Sequence, residues 1–155
     1  MQNKAYDWLE KFIKDYSSKL PKEHQQFSYN VGLAGLKYAR KQYEEALELL
    51  TSIKFEDAIH NMGTRVLVAK VYYGLKRWDA LQQYLKTFEI YIRRLNNDIH
   101  YKRDMYLELV LFAQKIFRLN PHDITAKEKL LQTLENNPNI LHEKWLRMCL
   151  NNVGT

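Results

Sequence analysis

Few residues in this chain combine a reactive type with a useful spacing. Five histidines stand at positions 24, 60, 100, 122 and 142, and none has another three or four residues further on. A helical zinc site needs two imidazoles one turn apart, which this spacing does not supply. The nearest string, "HEKWL" from His142, has the His-Glu start of a zinc-protease helix, but Leu146 stands where the second ligand belongs. Cys149 is the single cysteine, which excludes an intrachain disulfide and a cysteine-based zinc finger. His142 precedes it by seven residues and would share its helix face. The surrounding "WLRMCL" is apolar, however, and marks Cys149 as a small core residue rather than an activated thiol. The carboxylate pairs Glu44/Glu45 and Glu45/Glu48 lie beside Arg40 and Lys41, a pattern of solvated helical ion pairs rather than general acid and base. No phosphate-binding glycine loop exists, since Gly32, Gly35 and Gly74 all fall within helical pattern. The expectation is therefore no catalytic residue, no cofactor, no metal and no enzyme activity.

The elements that would position any side chain are helical. Long tracts rich in Leu, Lys, Glu, Gln, Ala and Arg lose little side-chain freedom in a helix, and Pro21, Pro121 and Pro138 fall between them. The apolar spacing predicts helices over 3–17, 23–40, 42–53, 56–75, 77–96, 98–119, 124–136 and 139–150. Within 98–119, Met105, Leu109, Phe112, Ile116 and Leu119 recur at three- and four-residue intervals, the mark of one buried stripe. Thr125 with Glu128 reads as a capping box, and Asn139 as the N-cap of the last helix. At 155 residues the chain is expected to form one domain.

An internal echo organises the first two thirds. "GLKYARKQYEEALELL" aligns with "KVYYGLKRWDALQQYL" at an offset of 35: Ala34 with Ala69, Tyr38 with Tyr73, Tyr43 with Trp78, Ala46 with Leu81, Leu50 with Leu85. A further step of 35 back from Tyr43 reaches Trp8, in a segment that reads as a second helix without its first. That start fits a piece cut from a longer repeat protein. Gly32, Ala34 and Gly35 are expected to let another helix approach closely, with Ala46 as the facing small residue.

The pattern resembles the tetratricopeptide repeat, a helix–turn–helix unit of about 34 residues. The likeness covers roughly 22–95 and departs from the family at several points. Lys41 and Lys76 replace the usual turn glycine, Lys37 stands where the second unit has Tyr72, and no proline closes either unit. After Leu95 the register fails, because 35 beyond Val68 is Arg103. The resemblance implies an all-α fold of about eight helices, antiparallel hairpins stacked as a short right-handed solenoid over 1–155, with 120–155 as capping helices. It also implies a concave groove lined by first helices. The register maps groove positions to Val31, Gly35, Tyr38 and Ala39, then to Val66, Lys70, Tyr73 and Gly74. Tyr38, Val66, Lys70 and Tyr73 are the candidate partner-binding residues. The family's carboxylate-binding variety needs several Lys, Arg and Asn there, and only Lys70 fits.

Charge is unevenly distributed. Segments 1–64 and 119–155 are each balanced, while 65–118 carries eleven basic against five acidic residues, the whole of the net +6. Lys76, Arg77, Arg93, Arg94, Lys102 and Arg103 flank expected bends and form a candidate basic patch. No apolar run approaches the roughly 20 residues that span a bilayer, no signal sequence opens the chain, and a lone thiol suits a reducing compartment, so a cytoplasmic setting is expected. The function expected is a non-catalytic protein- or peptide-binding or scaffold module; the alternative is binding of nucleic acid or an acidic partner through 65–118.

Overall fold

The protein is described from a computed structural model that covers residues 2–53, 58–95 and 100–155. Those residues form eight helices and no strand. They are α1 (Gln2–Ser17), α2 (Lys22–Ala39), α3 (Tyr43–Thr51), α4 (Ala58–Gly74), α5 (Trp78–Arg93), α6 (His100–Phe117), α7 (Ile124–Glu135) and α8 (Glu143–Asn151). The chain divides into two compact units, Met1–Trp78 and Asp79–Thr155.

In the first unit α1 packs on α2, α2 on α3, α3 on α4, and α2 also meets α4. Ala34, Leu36, Ala46, Leu50, Met62, Val66, Ala69 and Val71 are among its buried apolar residues, each at most 2 % exposed. The offset of 35 is reproduced atom by atom at the two turns. After α2, Arg40 N donates to Leu36 O, Lys41 N to Tyr38 O and Gln42 N to Lys37 O; after α4, Leu75 N donates to Val71 O, Lys76 N to Tyr73 O and Arg77 N to Tyr72 O. This satisfies the last carbonyls of each helix in a Schellman arrangement, which requires a left-handed residue. Lys41 (φ 60°) and Lys76 (φ 56°) adopt it. A side chain in that region costs roughly 1–2 kcal/mol, which glycine avoids apart from its greater unfolded-state entropy. Lys41→Gly and Lys76→Gly are each expected to raise stability by about 0.5–1 kcal/mol, read as a shift in the urea midpoint; a loss at either site would contradict the backbone conformation.

Small residues divide into two kinds. Gly32 lets α1 approach, since an added Cβ would lie 2.8 Å from Ile13 Cγ2. Gly35 does not share that role: a Cβ there meets nothing within 4 Å, so the expected close approach at this position is corrected. The tightest approach is instead at Gly74, where a Cβ would stand 2.6 Å from the Tyr43 ring.

In the second unit α5 buries Leu81, Leu85, Phe88 and Ile92 at four- and three-residue spacing. On α6 Leu109, Phe112 and Ile116 are buried as the sequence predicts, with Val110 and Ala113 beside them. α8 packs on both α6 and α7, and Phe117 and Trp145 lie 6.4 Å apart between ring centroids. Two helix starts differ from expectation. Asp123, not Thr125, caps α7, its carboxylate accepting from Ala126 N at 2.9 Å; a short acidic side chain two residues earlier reaches the orphan amides first. Asn139 does not cap α8, which begins at Glu143. Ile140 is buried in the preceding turn, 5 % exposed, and the chain then re-enters helix through a left-handed His142 (φ 55°). Lys127 Nζ donates to the carbonyls of Asn151 (3.3 Å) and Val153 (3.2 Å), a cation at a helix C-terminus that ties down the end of the chain.

Candidate functional site

The four partner-binding candidates sit in the first unit, and the structure separates them. Val66 is 2 % exposed and belongs to the core; it is corrected out of any contact surface, because α4 buries this side of itself. Tyr38 and Tyr73 are half-buried at equivalent places on the two turns. Tyr38 lies 5.7 Å from the ring of Tyr43, and Tyr73 lies 5.4 Å from Trp78 in an edge-on arrangement. Each aromatic thus packs the end of one helix against the first residue of the next, a structural duty worth about 0.5–1.5 kcal/mol beyond burial. Lys70 is half-exposed on α4, one turn before Tyr73.

The basic candidates are less free than their count suggests. Lys76 and Arg77 belong to the first unit and the other four to the second. Arg77 Nη2 donates to Glu44 Oε1 at 2.6 Å, Arg93 pairs with Glu89 at 2.9 Å, and Arg103 meets Asp104 at 3.5 Å. Such exposed pairs contribute about 0–1 kcal/mol to stability, but each carboxylate cancels a charge that a phosphate backbone would need. Lys76, Arg94 and Lys102 are exposed. The bend expected between Arg93-Arg94 and Lys102-Arg103 falls at 96–99, outside the described residues.

A concave surface lies elsewhere, between α6 and α7 of the second unit. It encloses about 660 Å³ and is floored by Leu111, Leu119, Ala126 and Leu130. Lys115, Arg118 and Lys129 line it, and the one acidic lining residue is Asp123, already engaged as the α7 cap. Gln114, which also lines it and is 8 % exposed, donates from Nε2 to Glu89 Oε2 at 3.0 Å and links α6 to α5. That hydrogen bond, followed by the one from Arg93, holds the Glu89 carboxyl below the usual carboxylate range. Gln82 Nε2 adds a second α5–α6 link to Phe117 O at 3.3 Å. The sequence placed Leu111, Lys115, Arg118 and Leu119 on one helical face, which was a usable signal. Lys129 and Leu130 arrive opposite them only through tertiary packing.

Among the described residues no group of three or more His, Cys, Asp and Glu could hold a metal ion. His142 is exposed at the start of α8, Glu143 is paired with Arg147 at 2.6 Å, and Cys149 is 2 % exposed. No helix among those residues is long and apolar enough to cross a membrane. Compared with models of protein families, with curated proteins and with solved structures, the chain matches none.

Proposed function

We propose that this chain is a non-catalytic, helical protein-binding module of tetratricopeptide-like type, and that its docking surface is the α6–α7 groove. The observation that carries the proposal is the pairing of an apolar floor with a rim of Lys115, Arg118 and Lys129. An amphipathic helix laid into such a groove buries its apolar face while its acidic face meets the cations. The partner class is therefore an acidic amphipathic segment of another protein. Support for the family likeness comes from the two turns that repeat the same hydrogen bonds 35 residues apart. A cytoplasmic setting belongs to the same proposal, resting on the single buried thiol.

The test is fluorescence anisotropy with a labelled synthetic peptide of about four helical turns, Leu on one face and Glu on the other. The wild-type chain is expected to bind it, and the Lys115→Glu/Lys129→Glu variant at least about tenfold more weakly, roughly 1.4 kcal/mol. Both substituted positions are exposed, so circular dichroism should be unchanged. Equal binding by the variant would sink the groove assignment. Tighter binding of a single-stranded oligonucleotide, with steep loss in salt, would favour the nucleic-acid reading instead.

A further inference from the structure

Helix α1 packs on α2 along one side. Ile13 rests on Gly32, Ser17 Oγ meets Ser28 Oγ at 3.5 Å, and Tyr6 OH reaches Ala39 O at 3.5 Å. Another face of the helix carries Trp8, Phe12 and Tyr16, which are 65, 49 and 53 % exposed. Their rings form a ladder, with centroids 5.5 Å apart from Trp8 to Phe12 and 6.0 Å from Phe12 to Tyr16. These are three of the largest apolar side chains, stacked on one another and open to water.

We propose that this ladder is the contact through which two copies of the chain associate, α1 against α1 in antiparallel sense. The pattern is its own complement. Aromatics stand four residues before and four residues after Phe12, so a two-fold axis at Phe12 sets Trp8 of each copy against Tyr16 of the other. A two-fold contact requires this kind of self-matching, where residue i meets j and j meets i. Charge agrees with the same arrangement. At 100° per residue, Lys11 and Asp15 run along the edge of the ladder turned away from α2, and both are exposed. In an antiparallel pair like edges face each other, which brings Lys11 of one copy to Asp15 of the other, twice. A parallel pair would instead turn that edge toward the side occupied by α2.

The area sets the strength. Aromatic side chains carry about 150–250 Å² each, so at these exposures the three rings leave on the order of 350 Å² open per copy. A pair buries about 700 Å² from the rings, below the roughly 1,200 Å² where stable complexes begin, and the flanking stems of Lys4 and Lys11 add the remainder of a small interface. An interface of this size makes the association weak and reversible.

Analytical ultracentrifugation of the full chain, from micromolar to about 1 mM, tests this. The average mass should rise toward twice the monomer's, and Phe12→Glu, at a half-exposed position, should abolish the rise while leaving the helical circular dichroism intact. Lys11→Glu and Asp15→Lys should each weaken association severalfold, and the Lys11→Glu/Asp15→Lys swap should restore it. A monomer at every concentration, or unchanged association in Phe12→Glu, overturns the interface. Failure of the swap to restore association overturns the antiparallel arrangement.

Discussion

Phe88→Ala is expected to remove about 3–5 kcal/mol from the second unit, the range for truncating a fully buried aromatic. Phe88 is 1 % exposed, between Leu85 and Ile92 on the buried stripe of α5, with the Tyr84 ring at 6.5 Å. Its removal takes away transfer free energy and leaves a cavity that neighbours at 2 % exposure or less have little freedom to fill. Against a total of about 5–15 kcal/mol for an ordinary domain, such a loss is about a fifth or more of what holds the unit together. The two units need not unfold together, so the probe must be local. Trp145 supplies it: it is 7 % exposed in α8, whereas Trp8 and Trp78 of the first unit are 65 and 46 % exposed. The blue-shifted part of the tryptophan emission should therefore lose its urea midpoint steeply in Phe88→Ala. Peptide binding in the α6–α7 groove should fail with it, because α6 is fixed on α5 through Gln114–Glu89 and Gln82–Phe117. A loss below about 1 kcal/mol would mean that α5 is not packed as described.

Gly74→Ala should destabilise by about 1–3 kcal/mol, while the same substitution at Gly35 should stabilise by about 0.5–1 kcal/mol. Both glycines are helical, Gly35 inside α2 and Gly74 at the last residue of α4, and the surroundings decide the sign. At Gly74 the new methyl would lie 2.6, 2.7 and 2.8 Å from three atoms of the Tyr43 ring. The ring has little room to yield, since Tyr38 backs it at 5.7 Å. At Gly35 nothing stands within 4 Å. For a unit of this size 1 kcal/mol moves Tm by roughly 4–8 °C, so the two variants should move in opposite directions in the melt of the first unit. Tyr43→Ala should recover part of the Gly74→Ala loss in a double-mutant cycle, since the three atoms nearest the new methyl all belong to the Tyr43 ring. Additive losses would place the strain elsewhere.

These two glycines also mark where the sequence was informative and where it fell short. Helices were legible because long tracts lack breakers, and the 35-residue echo placed both turns and the buried pairs Ala34/Ala69, Ala46/Leu81 and Leu50/Leu85, all at most 2 % exposed. A glycine in a helix, however, does not reveal which way it faces: the pattern gives Gly35 both a close approach and a groove position and gives Gly74 the groove, whereas Gly35 is open and Gly74 lies against Tyr43. Val66 was misplaced for a related reason. Within α4 the stretch Val66-Leu67-Val68-Ala69-Lys70-Val71 has one polar residue, and periodicity cannot choose a face on so apolar a stretch. The cap of α7 went to Thr125 because Asp123 and Thr125 are both good capping types, and only the local geometry tells which amides each reaches. The groove was out of reach for a different reason: Ala126, Lys129 and Leu130 of its lining come from α7, brought to α6 by packing that no local pattern encodes.

The seclusion of Cys149 gives the molecule an internal clock. Its thiol is the only one in the chain, and at 2 % exposure in α8 it is shielded from solution by the same packing that joins α8 to α6 and α7. A thiol reagent can reach it only when that end of the second unit opens. The rate of modification, divided by the rate for a free cysteine, is then the equilibrium constant for opening. The end of the chain that Lys127 ties down should open as part of the same event, so weakening that tie should be read directly as faster labelling.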